Sequence, residues 1–131
     1  MEQLNDDHLM LEPVPEINSI AVIVKHLKGN MLSRWTDFLN TDGEKDFRNR
    51  DDEFEGNLNN RDEIYASWSE GWKVLFGTIE SLNDEDLNSI VYIRNQGHTV
   101  VEAINRQLCH YAYHIGQMVY IGKWLKEGDW Q

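Results

Sequence analysis

Two histidines stand four residues apart in Cys109-His110-Tyr111-Ala112-Tyr113-His114. On a helix that spacing puts both imidazoles on one face, with ~5–6 Å between Cβ atoms. This is the span across which two rings share one ion through metal–nitrogen bonds of ~2 Å. A third imidazole, His26, sits within the apolar run Ile20-Ala21-Val22-Ile23-Val24-Lys25-His26-Leu27. A lone histidine at the edge of an apolar face is most simply a hydrogen-bonded core residue. Three such histidines in a chain with five in total favour a shared divalent ion, because an imidazole buried without a partner loses its hydrogen bonding and a metal satisfies all three. Three nitrogen ligands with one position left open is the arrangement of catalytic zinc, whereas structural zinc fills all four positions. The candidate metal ligands are therefore His26, His110 and His114. His8, in a polar lead-in, and His98, before a helix cap, do not share the spacing and read as surface residues.

Further polar residues lie near this set. Asn30, one turn beyond His26, and Gln117, three residues beyond His114, are candidates to orient a substrate, or else ordinary helix-edge amides. Arg48, Asn49 and Arg50 are candidates to bind an anionic substrate, or else the arginines are partners of Asp51, Asp52 or Glu53 in loop salt bridges. Cys109 points about 100° away from His110 around the helix and reads as a small core residue. There is no Gly-x-Ser-x-Gly elbow for a serine nucleophile and no Gly-rich phosphate loop.

The elements that position these residues follow from periodicity. Residues 1–17 are polar and hold both prolines, Pro13 and Pro15, which predicts an irregular lead-in. Asn18 or Ser19 caps a helix to about Leu39, whose apolar face is Ile20, Ile23, Val24, Leu27, Met31, Trp35 and Phe38. Thr41–Asn59 lacks a period and reads as a long loop, a length that often serves function. A second helix spans about Asn60 to Leu82, with Ile64, Trp68, Trp72, Leu75, Phe76 and Ile79 as its stripe. Some strand character follows at Ile90–Ile93, then a turn at Asn95-Gln96-Gly97. Thr99 with Glu102 forms a capping box for a third helix running to about Glu127, where Gly128 supplies the C-cap. Its seam is Ile104, Leu108, Tyr111, Ile115, Met118, Gly122 and Leu125. The reading is one all-α domain over residues 1–131.

Composition removes several classes of function. Twelve Lys and Arg against 23 Asp and Glu give a formal charge of −11, a field that repels phosphate backbones and argues against nucleic acid. The longest apolar run, Ile20–Val24, falls far short of the ~18–20 residues that span a bilayer, so no membrane partner is expected. The N-terminus lacks the basic and apolar regions of a signal peptide, and a single cysteine fits a reducing compartment. The expected location is cytoplasmic.

The apolar helix carrying His26-Leu27-Lys28-Gly29-Asn30, paired with the later His110-Tyr111-Ala112-Tyr113-His114-Ile115-Gly116-Gln117, resembles the DinB/YfiT-like proteins over about Asn18–Leu125. Arg34-Trp35-Thr36-Asp37-Phe38 and Asp42-Gly43-Glu44-Lys45 add to the likeness, which is closest to an uncharacterised bacterial subgroup. The resemblance implies an up-down-down-up four-helix bundle, here with its first helix short or missing and Met1–Leu11 as the tail of that helix. It also implies a divalent metal, often zinc or nickel, and frequently a homodimer. Characterised members include thiol-dependent S-transferases and a mycothiol-dependent isomerase. The expected function is thus a metal-dependent transferase or hydrolase-like enzyme acting on a small molecule through the three-histidine site, the resemblance implying a thiol-dependent S-transferase with a low-molecular-weight thiol as co-substrate. The alternative is a non-catalytic, metal-stabilised dimer that binds a ligand or partner.

Overall fold

The computed structural model describes residues 1–56 and 58–131. Among these residues five α-helices, one 3-10 turn and one hairpin follow in the order α1 (Asp6–Met10), α2 (Ile20–Trp35), α3 (Arg50–Phe54), α4 (Arg61–Ser81), the 3-10 turn Asp84–Asn88, β1 (Ile90–Ile93), β2 (Gln96–Thr99) and α5 (Val100–Leu125). The molecule is an all-α helical bundle built on α2, α4 and α5, with a small two-stranded sheet. No helix among the described residues is long and apolar enough to cross a membrane.

Helix α2 is the centre of the bundle. The Ser19 hydroxyl caps it by accepting from Val22 N at 3.2 Å. All seven residues of the expected apolar face are buried, and so are Ala21, Val22, His26, Asn30, Ser33 and Arg34. The helix is covered on almost every side, where periodicity predicts one covered face; neighbours pack on it from several directions. It also stops four residues early. Asp37 takes a left-handed φ of 48°, and its carbonyl accepts from Asn40 N and Thr41 N, which turns the chain back toward the Gly43 region. Phe38 still reaches the core beyond that turn.

Helix α4 packs closely on α2. A Cβ on Gly71 would stand 2.8 Å from Met31 Sδ and 3.3 Å from Lys28 Cα, so the missing side chain sets the closeness of the two backbones. The buried line is accordingly Ile64, Ser67, Gly71 and Leu75. The expected stripe is displaced: Trp68, Trp72 and Ile79 are half-buried and Phe76 is exposed. Small residues form the contact and the large rings flank it.

Helix α5 begins at the expected capping box, with Thr99 and Glu102 satisfying each other's backbone amides. Its expected seam is rotated. The buried positions are Val100, Ala103, Gln107, Tyr111, Met118, Ile121 and Gly122, whereas Leu108 is exposed and so is Cys109, which is therefore not a core residue. The edge that carries the histidines turns inward to meet α2, and that rotation swings Leu108 and Cys109 out. The link is a buried chain: Trp35 Nε1 donates to Tyr111 Oη at 2.8 Å, and Tyr111 Oη–H donates to Asn30 Oδ1 at 3.1 Å.

The hairpin turns at Arg94-Asn95, one residue before the expected Asn95-Gln96-Gly97. Both residues have positive φ, 53° and 61°, as a two-residue I′ turn requires. The Asp42 carboxylate fixes it by accepting from Arg94 N at 2.9 Å and Asn95 N at 2.7 Å. Val91 and Ile93 face the core while Ile90 and Tyr92 face outward. The lead-in contains α1, a single five-residue turn of helix capped by Asn5, and Leu9 within it is fully buried.

Candidate metal centre

α2 supplies His26 and α5 supplies His110 and His114. The rotation of α5 that exposes Leu108 brings the three rings together. His26 Nε2 lies 3.3 Å from His110 Nε2, and His114 Nε2 lies 3.1 Å from the same atom. One ligand atom from each ring falls within 4.8 Å of the others. Two nitrogens each ~2.05 Å from a tetrahedral ion are ~3.3 Å apart, and the two separations at His110 Nε2, 3.3 and 3.1 Å, match that spacing.

The far sides of two of the rings are held. His26 Nδ1 is 2.8 Å from Glu53 Oε2, and His114 Nδ1 is 2.8 Å from Gln117 Oε1. An Nδ1–H donating to an oxygen leaves the Nε2 lone pair free, the tautomer that a ligating imidazole needs. Gln117 is fixed in turn by donating from Nε2 to Tyr113 Oη at 3.0 Å. Glu53 is clamped by Arg48, whose Nε and Nη2 donate to Oε1 and Oε2 at 2.8 and 3.0 Å. Burial raises the Glu53 pKa, but the hydrogen bonds from His26 and Arg48, with the Arg48 charge, outweigh it and hold the carboxyl below its usual range. Phe54 covers the outer side of His26, ring centroids 4.9 Å apart.

Burial, then the charges of His114, His26, Arg48 and Arg34, push the His110 pKa down to about 4. Burial and His26 lower His114 as well, against the hydrogen bond to Gln117. Both rings are neutral at pH 7 and available as ligands rather than as acids.

The segment expected to be a bare loop therefore contains the positioning device. α3 lies inside Thr41–Asn59, with Asn49 Oδ1 accepting from Asp52 N at 3.2 Å, and it presents Glu53 to His26 and Arg48. The stretch before it is anchored to α2. Arg34 donates to Gly43 O and to Glu44 Oε2 at 3.1 Å; Ser33 Oγ donates to Gly43 O at 2.8 Å. Sequence reasoning names Glu53 only as one of three partners for the loop arginines and misses its contact with His26. Contact across 27 residues leaves no periodic trace; the signal within reach was the helix-capping pattern Asn49-x-x-Asp52.

Four of the five expected substrate residues, Asn30, Gln117, Arg48 and Arg50, line one cavity of about 480 Å³ beside the histidines. Arg48 is committed to Glu53, and Asn30 Oδ1 to Tyr111. Gln117 orients His114. Arg50 is exposed and has no ion pair among the described residues. His8 and His98 lie outside the cluster and are half-buried rather than on the open surface, each with one ring nitrogen buried and without a partner among the described residues.

Fold and site together define a helical-bundle protein with a three-histidine cluster set between two of its helices. The chain belongs to the family described as "Protein of unknown function (DUF1572)", which matches residues 1–131. No curated protein and no solved structure matches it.

Proposed function

We propose that His26, His110 and His114 hold one divalent metal ion, zinc or nickel, and that the protein is a metal-dependent enzyme of the DinB/YfiT-like type. In this reading it is a thiol-dependent S-transferase that acts on a small molecule together with a low-molecular-weight thiol. The observation that carries it is the convergence of His26 and His114 on His110, their Nε2 atoms 3.3 and 3.1 Å from its Nε2, with oxygen partners fixing His26 and His114 from behind. An ion with one open position there would supply the Lewis acidity that makes a thiol or water nucleophilic near neutral pH. The protein's own contributions are separate from that chemistry. Glu53 and Gln117 set the ligand tautomers, Arg48 keeps Glu53 ionised, and Phe54 shields His26 from water. The adjoining cavity has the size of a small-molecule site.

Metal content of untagged protein tests the reading, measured for wild type and His110→Ala together. The expected result is about one divalent ion per chain in the wild type and none in the variant, followed by metal-dependent turnover in a screen of thiols and electrophiles. Wild type that holds no metal and takes up neither zinc nor nickel would overturn it.

A second reading is favoured by the outer face of α5. Tyr113, Tyr120 and Trp124 lie within about 40° of one another around the helix and are exposed at 62, 76 and 51 %, a density of large side chains that marks an interaction surface. Here the protein is a metal-stabilised homodimer that binds a ligand without turnover. Sedimentation across protein concentration, with saturable metal binding but no reaction, would select it.

A further inference from the structure

Five of the chain's six arginines, Arg34, Arg48, Arg50, Arg94 and Arg106, line the cavity beside the histidine cluster. In a chain of formal charge −11 that concentration runs against the overall field. Three of the five are partly neutralised: Glu44 serves Arg34, Arg48 and Arg94, and Glu53 serves Arg48. Five guanidinium charges thus face two carboxylates, which leaves three in excess at the cavity wall. Arg50 and Arg106 are exposed and form no ion pair among the described residues.

Two buried groups in the same wall are also unmatched. Arg34 is 5 % exposed, and its Nε–H has no hydrogen-bond partner among the described residues; Gln107 is 4 % exposed, and its Oε1 has none among them. A buried donor and a buried acceptor left open are costly unless something fills them. Both lie in the wall that also holds the three histidines.

We infer that this cavity binds the anionic end of the substrate, a carboxylate or phosphate group seated among Arg34, Arg50 and Arg106, with the reacting end toward the histidines. The inference rests on the reading of the cavity as the reaction site. Arg106 and Arg50 supply the uncompensated charge at the mouth. Arg34 supplies a fixed donor at the base, and Gln107 accepts from a hydroxyl or amide N–H of the same ligand. Guanidinium groups suit this task because their planar donors match the oxygens of carboxylate and phosphate. A neutral molecule of equal size would leave the excess charge and the Arg34 donor unanswered.

The test uses metal-free protein, so that anion binding is read apart from metal binding. Succinate, inorganic phosphate and the neutral isostere succinamide are titrated while the arginine Nε–H and glutamine side-chain signals are followed by NMR. Saturable shifts of Arg34 and Gln107 with succinate or phosphate, and none with succinamide, are expected; which anion saturates at lower concentration identifies the carboxylate or the phosphate. In Arg50→Gln/Arg106→Gln the affinity should fall about tenfold, whereas Arg61→Gln, outside the cavity, should leave it unchanged. Equal binding of succinamide, no saturation with either anion, or full affinity in the double variant would overturn the inference. Zinc uptake by the same preparations is scored separately, so loss of the metal reading and loss of the anion reading are distinct results.

Discussion

Gly29 and Glu53 occupy the same space in turn: a Cβ on residue 29 would stand 2.7 Å from Glu53 Cδ and 3.1 Å from Glu53 Cγ. The glycine lies in the middle of α2, where it costs ~0.5–1 kcal/mol relative to alanine. Its absent side chain is the room through which the Glu53 carboxylate reaches His26 and Arg48.

Gly29→Ala should therefore displace Glu53 and weaken zinc binding about 10–100-fold, the usual effect of losing a partner behind a ligating histidine. Glu53→Gln, which keeps the shape but removes the charge, should weaken zinc in the same direction. A double-mutant cycle settles the cause: in a Glu53→Ala background Gly29→Ala should become neutral or stabilising, because the clash is gone. If Gly29→Ala alone binds zinc like the wild type, the positioning role of Glu53 is wrong.

The metal-free protein should lose stability as acid is added. His110 takes a proton near 6.5 when unfolded and near 4 when folded. Between those values the unfolded chain binds more protons, so stability falls as pH drops through that window and levels off below it. Unfolding midpoints in denaturant, taken across the window for wild type and His110→Gln, check this. The variant should show a shallower slope, and identical slopes would refute the assignment. Zinc should carry the wild type's stability to lower pH, since protons must then displace the ion.

Tyr111→Phe removes the hydroxyl that accepts from Trp35 and donates to Asn30. Two buried polar groups lose their partner, at ~1–3 kcal/mol for each group left unsatisfied. A loss of about 2 kcal/mol in denaturant unfolding is expected, with zinc stoichiometry retained because no ligand is touched. An unchanged unfolding midpoint would mean that the Trp35–Tyr111–Asn30 chain does not tie α5 to α2.

What the sequence determined by itself is periodic or local. The 3.6-residue spacing of Ile20 through Trp35 gives α2, and Thr99 with Glu102 marks the start of α5. The four-residue step from His110 to His114 puts two rings on one face, because a single helix enforces that geometry without help from the rest of the chain. Only the tertiary structure decided which face of each helix is covered. On α5 periodicity puts Leu108 and Tyr111 in one seam, whereas the fold buries Tyr111 with Gln107 and exposes Leu108; that choice is made by the Trp35–Tyr111–Asn30 hydrogen bonds and by packing on α2. The same holds for the positioning shell. Glu53 meets His26 through α3 and the space left by Gly29, and the arginines converge from separate segments, Arg34, Arg48, Arg50, Arg94 and Arg106. Contacts between residues far apart in the chain are set by how elements pack, and packing is a property of the whole fold that no local spacing encodes.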